Sequence, residues 1–158
     1  MPDVEKAARD IEGFGAEGIT VHPRPDGRHI KYEDVRLLKK LIRTEFNIEG
    51  NPEPSFRDLV MEVIPEQVTL VPDGHDAITS NCGWDTIKHE AFLTEMCNLF
   101  HSKGIRVSIF IDPLPEMAYG AARCGADRIE LYTAAYAENY PINREKAVAP
   151  YLRTAQAA

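Results

Sequence analysis

Gly18-Ile19-Thr20-Val21-His22-Pro23-Arg24-Pro25-Asp26-Gly27-Arg28-His29-Ile30 is a short apolar run that opens into a loop bearing two histidines and two arginines. Such a run reads as a buried strand emptying into a binding loop. Pro23, Pro25 and Gly27 stop any regular element, so His22, Arg24, Arg28 and His29 project from irregular backbone at the strand's carboxyl end. Parallel α/β proteins place their chemistry there. The forked donor of Arg24 and a second donor at His29 can together hold a dianion such as a phosphate ester. From this stretch alone, an ordinary solvated loop is an equal reading.

Outward from the stretch, helical and extended patterns alternate. Val4, Ala7, Ala8 and Ile11 have helical spacing, and Gly13-Phe14-Gly15 ends that helix before the 18–22 strand. A second helix is expected over 32–46, with Val35, Leu37, Leu38, Leu41 and Ile42 on one side and Lys39, Lys40 and Arg43 on the other. Strands follow at 46–49, 68–71, 106–112 and 127–132, separated by helices over 54–63, 86–103 and 115–124. A last helix spans 143–157, with Pro150 inside or near it. The longest connection, 73–85, is too polar to be core, and long loops within compact domains are usually functional.

The chain has 158 residues, 44% hydrophobic and 27% charged, which fits one soluble globular domain. No apolar run approaches the roughly 20 residues of a membrane span, and the first residues lack signal-peptide character, so a cytoplasmic location and no membrane partner are expected. Cys82, Cys97 and Cys124 are odd in number and widely spaced, which argues against a disulfide framework or a thiolate zinc site. A net charge of −7 disfavours nucleic acid and leaves room for a local basic pocket taking a small anionic metabolite.

Five strands separated by helices imply βαβ units and a parallel sheet. A doubly wound sheet suits the length, but its Gly-rich phosphate turn is absent. Polar residues sit instead at the ends of nearly every strand, at His22, Glu49, Asp73, Asp112, Glu130 and Thr133. That distribution favours a (β/α)8 barrel, which needs eight strands and about 250 residues. The expectation is one partial TIM-barrel domain over 1–158, carrying about five strands, the second to the sixth.

Several segments together resemble the pyridoxine 5′-phosphate synthase family: the 18–30 stretch, Phe-Asn-Ile-Glu at 46–49, Leu-Val-Pro at 70–72, Thr79 with Gly83-x-Asp85, Val-Ser-Ile-Phe-Ile-Asp at 107–112, Gly-Ala-Asp-Arg-Ile-Glu-Leu-Tyr-Thr at 125–133 and Tyr136-Ala137. The resemblance implies a barrel enzyme without cofactor or metal. It condenses 3-amino-2-oxopropyl phosphate with 1-deoxy-D-xylulose 5-phosphate, releases phosphate and water, and assembles as a homo-octamer. It implies His22 as a catalytic histidine, Glu49 as a second general base and Glu130 as a stabiliser of the transition state. Arg24, His29 and Thr79 are implied as ligands of the deoxyxylulose phosphate. These roles suit the residues, since imidazole passes protons near neutral pH and a carboxylate inside a barrel can do so when burial raises its pKa.

The resemblance also implies segments with no counterpart here: a first strand with an Asn-x-Asp-His stretch, and later strands with a Gly-His pair and glycine-rich phosphate contacts. The alternatives are a catalytically inactive barrel fragment or another phosphate-binding barrel lyase, including a metal-assisted one using His22, Glu49 and Asp73. No H-x-H or H-E-x-x-H spacing supports the metal reading. Alone, the open sheet is expected to associate through its edges, with Val21, Ile48, Leu70, Ile109 and Ile129 losing their packing wherever they face the barrel centre.

Overall fold

In a computed structural model the structure describes residues 3–74 and 80–158. The elements run α1 (Val4–Gly13), β1 (Gly18–Val21), α2 (Tyr32–Leu41), β2 (Glu45–Gly50), α3 (Pro54–Val63), β3 (Gln67–Leu70), α4 (Glu90–His101), β4 (Arg106–Ile111), α5 (Pro115–Arg123), β5 (Arg128–Leu131), α6 (Ala134–Asn139) and α7 (Arg144–Ala157). All pairings are parallel, and the strands lie side by side in chain order from β1 to β5. A doubly wound sheet reverses its strand order at a switch point. This one never reverses, and it forms part of a barrel wall, as expected.

Alternation along each strand divides the sheet into two chemically distinct faces. Val21, Phe46, Ile48, Val68, Leu70, Val107, Ile109 and Ile111 point toward the helices and form one cluster with Leu38, Leu59, Leu93 and Phe100. Ile48, Leu70 and Ile109 are fully buried there, each contributing roughly 1.5–3 kcal/mol by burial. This corrects the expectation of apolar side chains at the barrel centre: Val21, Ile48, Leu70 and Ile109 lie in the helix-facing cluster, and Ile129 packs against it. The concave face is mostly polar, with Phe110 beside Glu130 as a buried aromatic exception. Asn47 Nδ2 donates to Thr20 Oγ1 at 3.2 Å and to Thr69 Oγ1 at 3.0 Å, tying β1, β2 and β3 together. At the amino end of the same face, Glu45 pairs with Arg106 and Arg128, and Gln67 Oε1 accepts from both arginines.

Local chemistry sets the element ends. Asp3 caps α1 through Lys6 N–H, and Asn143 caps α7 through Lys146 N–H. Glu12 Oε1 accepts from Arg43 N, Thr44 N and Thr44 Oγ1, which binds α1 to the entry of β2 and lowers the glutamate's pKa. The helix expected from Thr86 begins at Glu90, because Asp85 Oδ1 accepts from Ile87 and Lys88 N–H and folds 86–89 into turns. The expected 32–46 helix stops at Leu41, where Ile42 turns to extended geometry. The short helix α6 has no counterpart among the expected elements. It is ended by Tyr140-Pro141 and docked by Tyr151, whose hydroxyl donates to Tyr132 O and accepts from Tyr136 N–H. Pro150 is inside α7. No helix among the described residues is long and apolar enough to cross a membrane.

Candidate active site

The carboxyl ends of β1, β2 and β3 bring the decisive side chains together. His22 follows the last residue of β1, and Glu49 is the concave-facing residue next to it on β2. His22 Nδ1 and Glu49 Oε1 lie 3.2 Å apart, with both side chains about four-fifths buried. Gly50 follows Glu49 with its α-carbon against the ring of Phe56; a Cβ there would meet that ring at 2.3 Å, so a larger residue would force the ring to shift and change how α3 seats on β2.

Glu130 belongs to β5, on the same polar face. It remains accessible at the sheet's edge, yet enough protein surrounds it that its pKa is raised, first by desolvation and then by the charge of Glu49, with His22 partly offsetting both. Glu49 and Glu130 are thus electrostatically coupled, with the imidazole acting on both sides. Such a set can hold and move a proton.

Beside this group, Arg24 Nη2 meets Asp73 Oδ2 at 3.1 Å. Asp73 also accepts from Ser80 Oγ at 2.7 Å through Oδ2 and from Asn51 Nδ2 at 2.7 Å through its carbonyl. Arg28 is held by Asp26 at 2.8 Å. His22, Arg24, Arg28, Tyr32, Asn51 and Asp73 line a narrow cleft with about 20 Å³ between them, room for about one water. A wider, open groove of about 740 Å³ lies at the opposite end of the strands and is lined by Arg9, Glu12, Lys40, Arg43 and Thr44. Barrel chemistry belongs to the carboxyl ends, so the smaller cleft is the candidate site.

His22, Glu49 and Glu130 therefore share one face, and Arg24 adjoins them. His29 sits exposed on the bend after Arg28 and is not among the residues lining the cleft. Thr79 lies outside the described residues. Asp73 pairs with Arg24, and among the described residues no three His, Cys, Asp or Glu side chains gather as a metal cluster. Sequence reasoning missed Asn51 and Ser80, which lie beside the motifs and carry no signal of their own beyond their place at strand ends. All three cysteines are free. Burial raises the Cys82 thiol's pKa, with Asp112 and Asp73 adding to it, and burial pushes Cys97 up to about 12. Neither is poised as a thiolate nucleophile.

The sequence pattern of the family described as "Pyridoxal phosphate biosynthesis protein PdxJ" matches residues 1–158. The pyridoxine 5′-phosphate synthase of Cytophaga hutchinsonii is 59% identical over 157 residues, spanning 99% of this chain and 66% of its own length. That of Flavobacterium johnsoniae is 54% identical over 158 residues, spanning 100% of this chain and 67% of its own. The chain thus spans about two thirds of the length of these curated relatives. Among solved structures, the L230A mutant of flavocytochrome b2 with benzoylformate superposes with a TM-score of 0.67 at 14% identity, over 96% of this chain and 44% of that one. At that identity the likeness concerns the fold alone.

Proposed function

Because the chain belongs to the PdxJ family of pyridoxal phosphate biosynthesis proteins, we propose that it carries the proton-transfer centre and the deoxyxylulose-phosphate contacts of a pyridoxine 5′-phosphate synthase. The reaction is the condensation of 3-amino-2-oxopropyl phosphate with 1-deoxy-D-xylulose 5-phosphate to pyridoxine 5′-phosphate, phosphate and water. The observation that carries this reading is the 3.2 Å contact of His22 with Glu49, on a face shared with the raised carboxyl of Glu130.

Joining an amine to a ketone takes a proton off nitrogen and delivers one to the oxygen that departs as water. Glu49 accepts the first, His22 relays it, and the carboxylate form of Glu130 balances positive charge developing on nitrogen. Arg24, with His29 and Thr79, receives the ketose phosphate. The reading includes a cytoplasmic location, assembly into a homo-octamer, and no cofactor or metal.

One observation favours the alternative of a catalytically inactive barrel piece: β1 and β5 each have a single partner strand among the described residues. Two measurements separate the readings. Calorimetric titration of 1-deoxy-D-xylulose 5-phosphate into the chain is expected to show binding that Arg24→Ala removes, and absence of binding would refute the substrate assignment. A product assay on the chain alone is expected to show no pyridoxine 5′-phosphate, whereas the same 158 residues within a chain of the relatives' full length are expected to turn over.

A further inference from the structure

Among the described residues, Arg24 and Asp73 form the most deeply enclosed ion pair at the carboxyl ends of the strands, with side chains 12% and 6% exposed. Three loops meet there. Arg24 follows β1, Asn51 follows β2, and Asp73 and Ser80 follow β3. Asp73 is fixed at both its carboxylate and its carbonyl, by Ser80 Oγ and Asn51 Nδ2, each at 2.7 Å.

An anionic side chain beside a phosphate site repels the ligand unless it serves another end. Here the end is geometric. A guanidinium is planar, so tethering one nitrogen to a rigidly held carboxylate fixes the plane in which all its donors lie, and bidentate capture of phosphate depends on that plane. An arginine so prepared loses less side-chain freedom when the ligand arrives.

We propose that Asp73 is a positioning residue that holds Arg24 in the orientation receiving the ketose phosphate, with Asn51 and Ser80 holding Asp73 in turn. This rests on the substrate reading above. It differs from a plain structural ion pair in one respect: the effect of Asp73 on binding must run through the arginine fork.

A double-mutant cycle reads that dependence. Titration of 1-deoxy-D-xylulose 5-phosphate into Asp73→Asn is expected to show roughly tenfold weaker binding than the parent. In an Arg24→Lys background, where charge persists without the fork, the same change is expected to cost about twofold or less. Ser80→Ala, which keeps both charges, is expected to give a smaller loss with the same dependence on Arg24, and it carries the test if Asp73→Asn does not fold. Unchanged or tighter binding by Asp73→Asn overturns the proposal, as does an equal loss in both backgrounds. If the parent binds and Arg24→Ala does not, those outcomes overturn this inference alone. If the parent fails to bind, the substrate reading falls and takes this inference with it.

Discussion

His22 Nδ1 and Glu49 Oε1 face each other at 3.2 Å across the seam between β1 and β2, one residue beyond the paired Val21 and Ile48. The seam is parallel and its flanking apolar residues are buried, so neither group can slide along its strand without moving the core. The sheet register thus fixes Glu49 and brings His22, the first residue after β1, beside it.

That rigidity makes Glu49→Gln a clean probe. The amide keeps the size of the carboxylate and can still hydrogen-bond His22, but it cannot cycle a proton. In a chain of the relatives' full length, turnover is expected to fall about 10²-fold or more while the thermal midpoint stays near the parent's. Steady-state rates and thermal denaturation together check this, and near-normal turnover would remove Glu49 from its role.

Glu130 gives a pH signature. Its carboxyl binds a proton more tightly folded than unfolded, so this contribution to stability is fully present below the ordinary glutamate range and is lost as pH rises through the raised midpoint. Glu130→Gln, which cannot ionise, is expected to match the parent in acid and to exceed it in stability near neutrality. Carboxyl-carbon NMR should also show the Glu130 midpoint moving down in Glu49→Gln, since the like charge of Glu49 helps raise it. A midpoint that ignores Glu49 would disprove the coupling.

Gly83 marks where the long loop returns to β4. Its N–H donates to Asp112 Oδ1 at 3.3 Å, and an added Cβ would meet the backbone of Ile111 and Asp112 at 2.3 Å. Backbone cannot yield as a side-chain tip can, so Gly83→Ala is expected to cost about 1–3 kcal/mol in chemical denaturation. A loss below a few tenths would show that the loop is not seated on β4.

Much of this was legible in the sequence, and the reasons are local. Strand positions follow from short β-branched runs bounded by Gly and Pro, and α3 spans Pro54–Val63 because Pro54 and the Phe56, Leu59, Val60 spacing leave little choice. His22, Glu49 and Glu130 could be grouped because each sits at or near a strand's carboxyl end. Which face each strand buries was not legible. In Gly18–Val21 and Arg106–Ile111 nearly every residue is apolar or small, so the alternation that separates Ser108 from Ile109 is faint until the register is known. The Arg24–Asp73 pair was hidden for another reason: 48 residues lie between them, and only the sheet brings their loops together.

The edges yield a prediction about the chain by itself. β1 and β5 pair on one side only among the described residues, so each offers unsatisfied N–H and C=O groups. With the concave face mostly polar, association is expected through these edges rather than through exposed core. Size-exclusion chromatography over a range of protein concentrations should show species larger than a monomer, and high salt should not abolish them. A well-behaved monomer at all concentrations would refute the edge argument.

The split between an apolar outer face and a mostly polar concave face has an evolutionary consequence. Folding is driven mainly on the side where Ile48, Leu70 and Ile109 meet the helices, while His22, Glu49 and Glu130 themselves add little to that drive. Replacements at these three positions are thus screened by what they do to reactivity, whereas Asn47, Thr69 and Phe110 on the same face are buried and also bear on folding. A wall built this way can be handed new chemistry by a few changes along its inner surface, and the layer that keeps it folded is inherited unaltered.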